Sequence, residues 1–146
     1  MPSEDEVHPI DIYCDEAEAN GRKASMSKCI SLRRSLGKDP KINAQTVTKY
    51  QFMCIAADRY LTQEEHRLLS ELTGMSDDEM TESMEELTDK TTWKEAFAEI
   101  RKEFSRYSNK VRKDLLMLGV LTGASDGRVT ESERKFLIEL FGDVQF

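Results

Sequence analysis

Long apolar runs are missing from this chain of 146 residues. The longest, Leu115 to Leu121, has seven residues including a glycine, where a membrane-spanning helix needs about 20. Met1 to Val7 carries three acids and no base, the wrong start for a secretory signal. Cysteine is scarce: Cys14, Cys29 and Cys54 are an odd number at wide spacing. That speaks against a disulfide framework or a CxxC zinc site, and for reduced thiols in the cytoplasm. Histidine is limited to His8 and His66. There is no phosphate-cradling glycine loop, no HExxH, and no serine or cysteine in a nucleophile elbow. Membrane channels, disulfide mini-proteins and collagen-like chains are excluded, and a non-enzymatic protein is expected. At this length one domain can bury about 68–70% of its unfolded surface, so neither a disulfide nor a metal is needed for folding.

What is present is charge, arranged in blocks that sum to −7. Residues 1–20 hold seven acids and no base, and residues 21–49 hold eight bases against Asp39. Residues 77–89 hold seven acids and no base, while 101–113 hold six bases against Glu103. The basic segment could touch phosphate, because lysine and arginine clusters release counterions. No aromatic interleaves residues 22–49, so base stacking has no platform there, which argues against nucleic acid. The plainer reading pairs that segment with the acidic 77–89 face or with solvent, and it leaves peripheral membrane association open. In 77–87, Met80, Met84 and Leu87 fall at helical spacing and would dock an acidic helix. Its outward Glu82, Glu85 and Glu86 would then be a solvated surface or a face read by a basic protein partner.

Helical periodicity dominates. Trp93, Ala96, Phe97, Ile100, Phe104 and Tyr107 fall on one helical face. Val47, Tyr50, Cys54 and Ala57 repeat the pattern, as do Val111, Leu115, Leu118 and Leu121. No stretch keeps a period-2 alternation. Thr62-x-x-Glu65, Ser76-x-x-Glu79, Thr92-x-x-Glu95 and Thr130-x-x-Glu133 read as capping boxes, and Gly37, Gly74 and Gly142 as left-handed helix closers. The expected architecture is all-α, a compact bundle of about seven helices. These are placed at 27–36, 44–57, 63–73, 77–87, 93–107, 109–124 and 131–141, with a shorter one within 9–20. Residues 1–8 read as tail and 37–42 as linker. The domain division is a 1–43 extension, acidic then basic, followed by a helical domain over 44–146.

An internal repeat lies at an offset of 68 residues. Tyr50 to Gly74 aligns without gaps on Leu118 to Gly142, with 8 of 25 positions identical, among them Asp58/Asp126, Thr62/Thr130, Glu65/Glu133 and Gly74/Gly142. Each unit reads as a helix, an Asp-containing turn and a capped second helix. Two pseudo-symmetric αα-hairpins at about 50–74 and 118–142 are expected.

The second turn, Asp126-Gly127 followed by Val129, Thr130 and Glu133, matches the latter half of an EF-hand loop. With Glu133 as the last ligand, however, Thr122 and Ala124 stand where the loop needs Asp or Asn. In the first unit Cys54 and Ala56 stand there, and Arg59 replaces the glycine. An EF-hand is rejected. Each turn keeps a carboxylate pair, Asp58 with Glu65 and Asp126 with Glu133. Oxygen donors of this kind suit a hard cation such as Ca²⁺ or Mg²⁺, and His66 beside Glu65 could add a nitrogen that admits Zn²⁺. The competing reading makes Glu65 and Glu133 capping residues and Asp58 and Asp126 Asx-turn residues. His8 and Cys14, six residues apart, are a weak metal pair.

These paired Asp-(Gly)-x-[Leu/Val]-Thr-x-x-Glu turns, each between an apolar helix and a Leu-rich one, resemble the tellurite-resistance protein B (TerB) family. That family includes the related N-terminal domain of membrane-linked J-domain co-chaperones. The resemblance covers about residues 44–142 and is most specific over Leu115 to Gly142. It implies a compact all-helical domain with two similar halves in a bacterial stress-response setting. It also implies a metal role for Asp126 and Glu133, and less directly for Asp58 and Glu65. Arg59 departs from the pattern and puts a positive charge beside the first turn. The leading expectation is a divalent-cation-binding or cation-sensing interaction module with an unidentified protein partner. The alternative is a metal-independent adaptor using the acidic helix or the basic N-terminal segment.

Overall fold

A computed structural model describes residues 8–57 and 63–145, without the side chains of 63–65. The described chain is all-α. Its helices are α1 (Pro9–Asn20), α2 (Arg22–Gly37), α3 (Ala44–Ala56), α4 (Gln63–Thr73), α5 (Asp77–Thr88), α6 (Lys90–Phe104), α7 (Asn109–Ala124) and α8 (Glu131–Phe141). No described helix is long and apolar enough to cross a membrane.

Most helix starts are built from side-chain caps. The Asn43 carboxamide oxygen accepts from the amides of Gln45 and Thr46 at the head of α3. Ser108 caps α7 through the Val111 amide. Ser76 with Glu79 and Thr130 with Glu133 form reciprocal capping boxes on α5 and α8, each satisfying two backbone donors that a helix start otherwise leaves open. The Thr92 box is not formed. Asp89 caps α6 instead, taking the Thr92 amide at 3.1 Å and the Thr92 hydroxyl at 2.9 Å, so the helix starts three residues before the expected 93. The Thr62 box lies outside the described residues.

Of the expected tail, residues 1–7 lie outside the described residues, while α1 fills 9–20 and α2 begins five residues before the expected 27. His8 Nδ1 accepts the Ile10 amide at 3.1 Å and caps α1. Gly21, at φ 91°, ends α1 and starts α2 in a backbone conformation that a side chain would strain. Of the three expected closers only Gly74 is left-handed, at φ 69°. Gly37 lies inside α2, and Gly142 keeps φ −61°. Past Gly142 the chain folds back, and the Val144 amide reaches the Phe141 carbonyl at 3.0 Å.

The bundle is organised around α7. From Leu118 to Ser125 every residue of this helix and its cap is buried, as expected for a helix apolar on all sides. It packs against α1, α2, α3, α4 and α8. The core is continuous across residue 43, since Ile10, Cys14, Cys29 and Leu36 join the same cluster as Tyr50, Leu118 and Phe141. α4 packs on α7 and α8 on α3, the reciprocal pattern that two related hairpins generate.

At the α3–α7 crossing the Tyr50 hydroxyl donates to the Leu115 carbonyl at 2.6 Å. Its ring meets Phe104 and Phe141 edge-on, with centroids at 5.3 Å and 5.7 Å. The approach requires Gly119: a Cβ there would sit 2.1 Å from Tyr50 Oη and 2.7 Å from Leu137 Cδ2. Gly119→Ala is therefore expected to destabilise the fold by about 1–3 kcal/mol through overpacking. Tyr50→Phe alone should cost about 1 kcal/mol for the lost hydrogen bond. Combined, the two should lose less than their sum, because removing Oη relieves the closest clash. Urea unfolding of the three variants checks this, and strict additivity would contradict it.

Candidate functional site

The turn between α7 and α8 gathers the residues singled out in the second repeat. α7 ends at Ala124, and the Ser125 hydroxyl donates to the Thr122 carbonyl at 2.7 Å. Asp126 Oδ1 accepts the Arg128 amide at 3.2 Å, an Asx-type turn. Gly127 follows at φ 102°, with the Arg22 side chain packed over the face where a Cβ would stand. Val129 is buried and anchors the turn.

Glu133 is only 2% exposed. Its Oε1 accepts the Thr130 amide at 2.9 Å, while its own amide donates to Thr130 Oγ1 at 3.2 Å. The carboxylate lies against the bare Cα of Gly123, where a Cβ would stand 3.1 Å from Oε2. Glu133 thus joins the end of α7 to the start of α8 while completing a cap.

Beside it, Arg134 supplies the cation of this turn. Nε donates to the Val129 carbonyl at 3.0 Å, and Nη1 to Asp15 at 2.9 Å and Asp11 at 3.4 Å. Nη2 donates to Glu18 Oε1. The other Glu18 oxygen accepts the Val129 amide at 3.3 Å. Asp11, Asp15 and Glu18 sit at i, i+4 and i+7 of α1, one face of a helix, and that face closes over the turn. Burial opposes the guanidinium's charge, but the Asp15 and Glu18 carboxylates outweigh it and hold its pKa above the ordinary value. Burial pushes the neighbouring Cys14 thiol up to about 12.

At this turn the two carboxylates take up the capping and Asx-turn bonds that the competing reading assigned to them. Asp126 and Glu133 each spend an oxygen on a backbone amide. Among the described residues, no group of three His, Cys, Asp or Glu side chains comes together to hold an ion. At the first turn, Asp58, Arg59 and Thr62 lie outside the described residues, as does the Glu65 side chain. His66 Nε2 lies 3.2 Å from Asp77 Oδ1, a link between α4 and α5.

The charge blocks do not answer each other across the fold. Asp78, Glu82, Glu85 and Glu86 face outward from α5, while Met80, Met84 and Leu87 are buried beneath them. On α2, Lys23, Lys28 and Arg34 are exposed, as is Lys38 at its C-cap. The half-buried Arg33 is spent on the Ala44 carbonyl and the Thr48 hydroxyl. Lys49 pairs with Glu99 at 3.0 Å. Among the described ion pairs, none joins the 22–49 bases to the 77–89 acids.

Arg134 and its α1 acids were not anticipated. The i, i+4, i+7 spacing of Asp11, Asp15 and Glu18 is the signal that could have announced a shared cation. Compared with models of protein families, with curated proteins and with solved structures, the chain has no match.

Two outcomes are expected. Arg134→Lys should lose about 1–2 kcal/mol in urea unfolding, because a lysine cannot reproduce a multidentate charge-assisted fork. A loss within about 0.5 kcal/mol, the range of an ordinary surface pair, would contradict the geometry. In thermal unfolding of EDTA-stripped protein, Ca²⁺, Mg²⁺, Mn²⁺ and Zn²⁺ should each leave the midpoint unchanged. A bound ion at 100 times its dissociation constant would instead add about 2.7 kcal/mol. Such a shift, if abolished by Asp126→Asn/Glu133→Gln, would restore the metal reading.

Proposed function

We propose that this chain is a non-enzymatic, metal-independent interaction module that presents the acidic face of α5 to a basic protein partner. The observation that carries this reading is the set of carboxylates on Asp78, Glu82, Glu85 and Glu86. They stand on a helix fixed by Met80, Met84 and Leu87, and none is met by a base among the described residues. An unneutralised face on a rigid element steers an oppositely charged partner and fixes its orientation. The resemblance of the two turns to TerB-like proteins supports a hairpin-repeat interaction domain in a cytoplasmic stress-response setting. The cation role implied by that resemblance is the part the Asp126 and Glu133 geometry suits least.

The test is charge reversal. A partner captured by the native chain would be identified, purified and titrated against Glu82→Lys/Glu85→Lys/Glu86→Lys. Association should slow by about tenfold or more at low salt, with the difference shrinking as ionic strength rises. Reversal of Lys23 and Lys28 on α2 and of Lys38 at its C-cap should leave it unchanged. An affinity indifferent to the α5 reversal, with the partner lost on α2 reversal, would move the interface to the basic helix.

A further inference from the structure

A second surface, distinct from the α5 face and opposite in sign, lies where the C-termini of α3 and α5 meet the first turns of α6 and α8. It is an open cleft of about 320 Å³, within the range of about 300–1,000 Å³ typical of small-ligand sites. Its floor is apolar. Trp93 and Phe136 pack at 5.4 Å between ring centroids, with Ala56 and Ala57 beside them. Phe97 supports Phe136 from the other side at 5.9 Å, so the rings are held in place. Trp93 is half-buried, and it is the only tryptophan in the chain.

The walls are basic. Lys90, Lys94 and Lys135 line the cleft against Glu139. All three lysines are exposed, and none makes an ion pair among the described residues. The geometry points to a binding site for a small amphiphilic organic anion. The apolar body of such a ligand lies on Trp93 and Ala57, with the buried Phe136 backing the indole, and its carboxylate sits among the three ammonium groups. A bare inorganic anion would leave the aromatic floor uncovered, and an apolar molecule without charge would leave the lysines unanswered. Apolar floors with a few convergent polar groups are how ligand pockets fix both affinity and orientation.

The experiment titrates the intact chain with sodium decanoate below its micelle concentration, reading Trp93 emission and, independently, calorimetric heat. One saturable site with a changed Trp93 emission is expected. Inorganic phosphate and decyltrimethylammonium should produce neither signal. Lys94→Glu/Lys135→Glu, both at exposed positions, should weaken decanoate about tenfold while leaving the thermal midpoint in place. Equal binding of decanoate and decyltrimethylammonium would overturn the proposal, as would decanoate binding indifferent to the double reversal. Absence of saturation would overturn it too. Binding of a synthetic Glu-Glu-Leu-Leu-Glu-Glu peptide at Trp93 without decanoate binding would replace it with an acidic protein partner.

Discussion

Tyr50 reaches the Leu115 carbonyl only because residue 119 has no side chain. That contact sets how closely α3 approaches α7, and most of the bundle follows from it. With α3 and α7 in near backbone contact, the Tyr50 ring fills the space into which Phe104, Phe136 and Phe141 project from α6 and α8. Just along the same crossing, Gln51 donates to the Thr122 hydroxyl at 3.1 Å, and that hydroxyl donates to the Leu118 carbonyl at 2.7 Å. Cys29 of α2 lies 3.5 Å from the same hydroxyl. This small polar cluster links α2, α3 and α7 inside an apolar core, although the buried Gln51 Oε1 has no hydrogen-bond partner among the described residues. A larger residue at 119 would separate the helices and weaken both the aromatic and the polar contacts.

The second organising force is electrostatic, and it is concentrated at Arg134. α1 is short, acidic and poor in large apolar residues, with Ile10, Cys14 and Ala17 as its buried set. Its attachment is completed by Arg134, whose guanidinium gathers Asp11, Asp15 and Glu18 and holds the Val129 carbonyl as well. The turn carrying Asp126 and Glu133 is thereby closed from two sides, by α7 through Gly123 and by α1 through Glu18. Elsewhere the described ion pairs are isolated ones, Lys49 with Glu99, Arg112 with Asp143 and His66 with Asp77. The acids of α5 and the bases of α2 occupy separate surfaces, which is why the molecule offers faces of opposite sign to its surroundings.

Much of this was legible in the residues. Helices α3 to α8 carry clear apolar stripes, and the boxes at Ser76 and Thr130 mark their starts as the geometry has them. The exception at α6 is a competition between two hydroxyl- or carboxylate-bearing residues three apart. Asp89 won, and it turned Thr92 into its ligand. α1 and α2 were harder to read because small or polar residues such as Cys14, Ala17, Ser25 and Cys29 do their packing, leaving little periodic signal. Gly37 and Gly142 resembled helix closers by position, but neighbouring backbone hydrogen bonds let the chain turn without a left-handed residue. The Asp–Thr–Glu turn was readable in two ways, as caps or as ligands. The caps are formed, whereas the Arg134 cluster beside them carries no local signal, because its partners lie more than a hundred positions away.

We propose, centrally, that the contacts of Arg134 with the α1 carboxylates and the Val129 carbonyl hold this turn closed by themselves. The most direct measurement is amide hydrogen exchange at Val129 and Thr130, whose N–H groups donate to Glu18 and Glu133. The account predicts that both exchange slowly in EDTA, and that millimolar Ca²⁺ or Mg²⁺ leaves the rates where they were. Fast exchange in EDTA that becomes slow when either ion is added would contradict it.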